Sequence, residues 1–208
     1  MSDVAIEAVC WDWNGTLLDD AEICHSTMNE VLVRRGRAPI ATLKDYRARF
    51  RFPIRAFYAS VGIEADEFAE AADEYLGLLP QRMASARLHL DARSTVEGIA
   101  GRGIRQVLAS ATLPDALADQ MRPHGLAGQF EDVLGIGDVY AASKDAVIAR
   151  WVRNVAIPPG RILLIGDTNH DQEIAARLGA RFVHFTGGHQ RLDGTAQITA
   201  LQELLELI

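Results

Sequence analysis

Asp12, Ser110, Lys144, Asp167 and Asp171 are the residues of this chain whose types and settings suit a common reaction. Apolar runs lead into three of them: Val9-Cys10-Trp11 into Asp12, Val107-Leu108-Ala109 into Ser110, and Leu163-Leu164-Ile165-Gly166 into Asp167. Asp171 follows Asp167 by four residues, one helical turn on, and Lys144 opens a helical stretch. Phosphoryl transfer to a carboxylate needs this set. Asp12 supplies a nucleophile that can form an acyl phosphate. Asp12 and Asp167 are hard oxygen ligands suited to Mg²⁺, which would hold nucleophile and phosphate together against their repulsion, and Asp171 would support the same ion. Lys144 offers a point positive charge. Ser110 and the backbone N–H groups around it, at Ala111 among others, suit a phosphoryl oxygen.

The elements that must deliver these residues are legible as five apolar runs: Ala5–Trp11, Ile104–Ser110, Val133–Ile136, Ile162–Ile165 and Phe182–Phe185. Their apolarity is continuous, so the strands should be covered on both faces, as in a parallel sheet between helices. Helical stretches follow from Pro114 to Met121, from the Val147, Ile148, Trp151, Val152 stripe, and from Ile174, Ala175, Leu178 up to Gly179. Ile198, Leu201, Leu204, Leu205 and Ile208 suggest an amphipathic C-terminal helix. The expectation is an α/β fold, a doubly wound, Rossmann-like parallel sheet. In such a sheet ligands bind beyond the carboxyl ends of the strands, where Gly137-Asp138, Ser143-Lys144 and Thr186-Gly187-Gly188-His189 also fall.

More than ninety residues separate the first two runs without a convincing strand, far beyond what a crossover needs. They carry three helical patterns. The first is capped by Asp19 or Asp20 and ends at Gly36; the second runs from Pro53 to Gly62, and the third from Ala65 to Pro80. The expected division is an α/β core of residues 1–17 and 92–208 with an inserted helical cap domain, 18–91.

Composition narrows the partners. A formal net charge of -7 and a 49% hydrophobic content describe an ordinary globular protein without the basic face that nucleic acid or anionic membrane requires. No apolar stretch has the length of a membrane span, and the first residues lack a signal pattern, so a cytoplasmic protein is expected, with monomer as the default. Two cysteines make no disulfide framework, and Cys10 reads as core.

The ordered set Asp12-Trp13-Asn14-Gly15-Thr16-Leu17, Leu108-Ala109-Ser110, Ser143-Lys144 and Ile165-Gly166-Asp167…Asp171 resembles the four motifs of the haloacid dehalogenase superfamily, in its helical-capped, phosphoglycolate phosphatase-like branch. The resemblance implies a Mg²⁺-dependent hydrolase of a small phosphorylated metabolite. Asp12 would be nucleophile and metal ligand, with the backbone carbonyl of Asn14 and Asp167 as further ligands. Ser110, Ala111 and Lys144 would bind the phosphoryl group, Asp171 would support the metal, and the cap would close over the site.

Two positions depart from the pattern. Members of that branch carry aspartate where Asn14 stands, and it serves as general acid and base, a contribution worth roughly 10²–10⁴-fold. Asparagine has no titrating proton, so slow turnover of alkyl esters, or a preference for good leaving groups, is expected. Asp145 stands after Lys144 in place of proline, which a helix N-terminus accepts. Alternatives are a phosphonate- or halide-cleaving member, for which Lys44 would be the available cap lysine, and a non-catalytic protein that binds phosphorylated ligands. His170 and His189 read as solvated loop residues, with replacement of the missing acid as the other reading. Arg47, Arg49, Arg51 and Arg55 form a cluster that either faces solvent or reaches an anionic substrate group. Trp11 and Trp13 read as packing.

Overall fold

The computed structural model describes residues 5–137 and 144–208. In chain order its elements begin with β1 (Ala8–Trp11), β2 (Leu18–Asp19), α1 (Ala21–Arg34), α2 (Leu43–Arg49), α3 (Ile54–Ser60), α4 (Phe68–Met83) and β3 (Arg87–Leu88). Then come α5 (Ala92–Gly101), β4 (Arg105–Ala109), α6 (Pro114–Met121), β5 (Asp132–Leu134), α7 (Asp145–Val155) and β6 (Ile162–Gly166). The chain finishes with α8 (Asn169–Leu178), β7 (Arg181–Phe185), β8 (Gln197–Ile198) and α9 (Leu204–Leu207). Six strands form one parallel sheet in the order β5-β4-β1-β6-β7-β8. The expected doubly wound core is therefore present. Alternation along its central strands explains why the runs are continuously apolar. Val9 and Trp11 of β1, Leu108 of β4 and Leu163 and Ile165 of β6 pack with Val96, Ile99 and Leu117 on one face. Ala8, Cys10, Val107, Ala109, Ile162 and Leu164 pack with Ile148, Trp151 and Ile174 on the other. Each face is helix-covered, so these strand positions are apolar.

Several elements differ from the sequence reading. β8 is a sixth strand of two residues, and Ile198 belongs to it rather than to a C-terminal helix, which shrinks to a 3₁₀ turn and α9. A two-residue antiparallel pair, β2 with β3, closes the two crossings between sheet and insert. Helix α2 is an additional element, its first turn capped by the Thr42 hydroxyl, which accepts from the Asp45 N–H at 3.1 Å. Pro80 lies inside α4 instead of ending it. Asp20 precedes α1 but makes no capping bond there, because its carboxylate turns toward the loop after β1.

Helices α1 to α4 enclose their own apolar cluster, with Met28, Val31, Leu32, Tyr46, Phe57, Tyr58 and Phe68 at its centre. No helix among the described residues is long and apolar enough to cross a membrane.

Candidate active site

The loop after β1 is short and tightly bonded. Trp13 C=O accepts from the N–H groups of Leu17 and Leu18, and Gly15 N–H donates to Leu18 C=O at 3.0 Å. Gly15 takes φ +76°, and a Cβ there would lie 2.4 Å from Oδ2 of Asp167. Glycine is thus required twice over, by backbone conformation and by the approach of β6. Asp12 N–H donates to Ile165 C=O at 2.9 Å, which carries the parallel ladder one residue past β1 and sets Asp12 beside the end of β6.

Three carboxylates converge there. Asp12, Asp167 and Asp171 each offer an oxygen within 4.8 Å of the others. The Lys144 ammonium donates to Asp12 Oδ1 at 2.6 Å and pairs with Asp171. Thr16 Oγ1 stands 3.3 Å from both Asp12 Oδ2 and Asp167 Oδ1, so a hydroxyl from the first loop joins the two acids. Asp171 also accepts from the Thr168 N–H at 3.1 Å and hydroxyl at 2.6 Å at the start of α8. The backbone N–H of His189 donates to Asp167. All of these side chains are buried.

Burial shapes their protonation. Desolvation pushes the Asp12 carboxyl well above the usual range against the opposing pull of Lys144, with Asp171 and Asp167 adding to the rise. Asp167 is raised by burial and by Asp171, less the effect of His189. At Asp171 burial is overcome by the Lys144 charge, and the carboxyl is lowered. Burial disfavours the Lys144 ammonium, but Asp12 and Asp171 overcome it and hold the lysine charged. One lysine thus faces three acids. Two carboxylates destabilised as anions and aimed at one point are a donor set for a hard divalent cation. Asp12 and Asp167 would hold Mg²⁺, with Asp171 in support, and the donor chemistry fits that ion.

Asn14 lies at the start of the loop with its amide fully engaged. Nδ2 donates to Asp20 Oδ2 at 2.8 Å and to Gln120 Oε1 at 3.4 Å, and Oδ1 accepts from Thr112 Oγ1 at 2.9 Å and Ser110 Oγ at 3.3 Å. Ser110 and Thr112 also bond to each other at 3.0 Å. Ser110 is buried and Ala111, just after it, is exposed. Ser143 and Asp138 lie outside the described residues.

His189 departs from the solvated loop expected of it, since it is 6% exposed. Its Nε2 lies 3.1 Å from Asp20 Oδ1 and its Nδ1 3.1 Å from the Tyr46 hydroxyl. Burial works against its charge, yet Asp20 outweighs burial and lifts its pKa to about 9. Both ring nitrogens are committed, so neither is free to hand a proton to a substrate in this arrangement. His170 stacks on Phe52 with ring centroids 5.0 Å apart. The arginine cluster is absorbed as well. Arg47 donates to the carbonyls of Gly188 and Gly187, Arg49 to Ser60 C=O, and Arg51 to Arg49 C=O, and Arg55 lies over Phe68. Thr16, Asp20 and Gln120 went unremarked as site residues in the sequence; only the hydroxyl at Thr16, beside the glycine of the first motif, offered a signal.

The family model for haloacid dehalogenase-like hydrolases matches residues 9–185, and the chain belongs to that family. It is 26% identical over 200 residues to a phosphoglycolate phosphatase of Vibrio vulnificus strain YJ016, covering 91% of this chain and 87% of that protein. A haloacid dehalogenase-like family hydrolase from Streptococcus pneumoniae superposes with a TM-score of 0.81 at 19% identity, over 99% of each chain. A predicted phosphatase from Clostridium acetobutylicum does so with a TM-score of 0.81 at 18% identity, over 97% of each. These two structures share the fold.

Proposed function

We propose that this hydrolase cleaves the phosphate ester of a small metabolite through an aspartyl-phosphate on Asp12. The observation that carries the reading is the set of Asp12, Asp167 and Asp171, brought together from the ends of β1 and β6, with Lys144 paired to Asp12 and Asp171. An oxygen of Asp12 attacks phosphorus, the bond from phosphorus to the leaving oxygen breaks, and the electron pair departs on that oxygen. Lys144 and the Ser110 region, with the Ala111 N–H, would neutralise the phosphoryl oxygens as charge develops. Mg²⁺, held by Asp12, the Asn14 carbonyl and Asp167 and supported by Asp171, would supply charge neutralisation between nucleophile and phosphate. Asn14 positions by hydrogen bonding and brings no proton to the leaving oxygen. Aryl and acyl phosphates, which leave without a proton, should therefore turn over faster than alkyl phosphates.

The helical insert, residues 18–91, is read as a cap over the core of 1–17 and 92–208. It would keep bulk water from the acyl phosphate and select the leaving group. The name of the Vibrio relative makes phosphoglycolate the first alkyl ester to try. The protein is read as a cytoplasmic monomer. Schiff-base cleavage of a phosphonate has less support, because Lys44 lines a cavity to which Asp12 does not contribute.

The test is turnover of an aryl phosphate with and without Mg²⁺. Asp12→Asn should abolish activity, and chelation should remove it reversibly. Turnover that survives Asp12→Asn overturns the nucleophile assignment.

A further inference from the structure

A second cavity, of about 380 Å³, lies where the insert meets the β7–β8 edge of the sheet. Lys44 and Arg47 of α2 line it from one side, and His184, Thr186, Arg191 and Gln197 from the other. None of the three clustered carboxylates takes part. The chain has fewer Lys and Arg than Asp and Glu, 21 against 28, yet three cations gather here with Asp193 as the single acid. Asp193 is largely exposed and stands 3.4 Å from Arg191, a pairing that leaves most of the positive charge unspoken for. Lys44 has no ion-pair partner among the described residues. Arg47 is fixed in place by Gly188 C=O at 2.7 Å and Gly187 C=O at 2.5 Å.

His184 forms the inner wall of the cavity, fully buried and with the backbone of Gln190 and Gly166 beside its ring.

We propose that this cavity binds a small oxyanion, the phosphate or carboxylate group of a metabolite, at a site separate from Asp12. Lys44, Arg47 and Arg191 balance its charge, and Thr186 and Gln197 donate hydrogen bonds. The volume lies in the range of small-molecule sites. Because the cations come from both the insert and the loop after β7, the anion ties the two together. It holds Arg47 against Gly187 and Gly188, next to the His189 N–H that contacts Asp167.

The experiment is an amide-resolved NMR titration of the metal-free full chain, with inorganic phosphate in one arm and citrate in the other. The amides of Thr186, Arg191 and Gln197 should follow a saturation curve of their own, distinct from that of Gly15 and Ser110. Lys44→Gln combined with Arg191→Gln, both at exposed positions, should weaken that curve about tenfold or more while leaving the Gly15 and Ser110 curve in place. Lys44→Glu alone gives a second variant with the same expected direction. A response to phosphate only identifies a phosphate site, and a response to citrate only a carboxylate site. The proposal is overturned if neither anion moves these amides, if the variants leave their curve unchanged, or if they share the curve of Gly15 and Ser110. The active-site reading is untouched by any of those three results.

Discussion

Asn14 binds Asp20, Thr112, Ser110 and Gln120 at once, and that set defines what an acid at this position would experience. In Asn14→Asp a second carboxylate would stand about where the amide now meets Asp20 at 2.8 Å. Two buried carboxylates that close share a proton, and the new acid would hold one near neutral pH. The expected outcome is a gain in alkyl phosphate turnover, bounded by the roughly 10²–10⁴-fold worth of general acid help, with aryl phosphate turnover nearly unchanged. Steady-state rates on the two ester classes measure it, and an unchanged alkyl rate sinks the account. The sequence already marked Asp12, Lys144, Asp167 and Asp171, since each follows an apolar run or opens a helix. It could not mark Asp20, because what makes it part of the site is a contact with His189 across 169 positions.

The loop after β7 shows how elements hold these groups in register. Strand β7 pairs with β6 through Ile165 and Gly166, so the chain leaving it runs directly past Asp167. At Gly188 a Cβ would sit 2.2 Å from Asp167 Oδ2, and at Gly166 it would sit 2.2 Å from Asp171 Cγ. Gly188→Ala should therefore move a carboxylate without opening the sheet. Mg²⁺ affinity should fall about 10–100-fold, the range seen when the partners of a ligand are disturbed, while the circular dichroism spectrum stays unchanged. Calorimetric titration with Mg²⁺ measures it, and wild-type affinity would count against the metal assignment. The four longer strands were readable because burial on both faces leaves a mostly apolar run. Strands β2, β3 and β8 have two residues each, too few to display any period, and α2 hides within a charged segment, Lys44-Asp45-Tyr46-Arg47, with a single buried residue.

Across the whole molecule, three distant parts of the chain meet at His189: Asp20 before α1, Tyr46 of α2, and Asp167 after β6. The folded His189 pKa of about 9 lies above its ordinary value of 6.5, so the folded state binds this proton more tightly than the unfolded chain. The resulting stability is fully present below about pH 6.5 and is lost as pH rises through about 9. Thermal melts of metal-free protein should show Tm falling between those limits, and His189→Ala should flatten that fall. An equal fall in the variant would assign the effect to other groups. The insert was legible from length and helical period, whereas its bonds to the core depend on single side chains such as Asn169, which donates to Phe52 C=O and accepts from Phe52 N–H. All three tryptophans of the chain are buried, and the indole of Trp13 donates at 3.0 Å to the same Gln120 oxygen that Asn14 reaches. The molecule thereby carries its own optical reporter: a fluorophore beside Asp12 whose emission should register a change in charge there without any label.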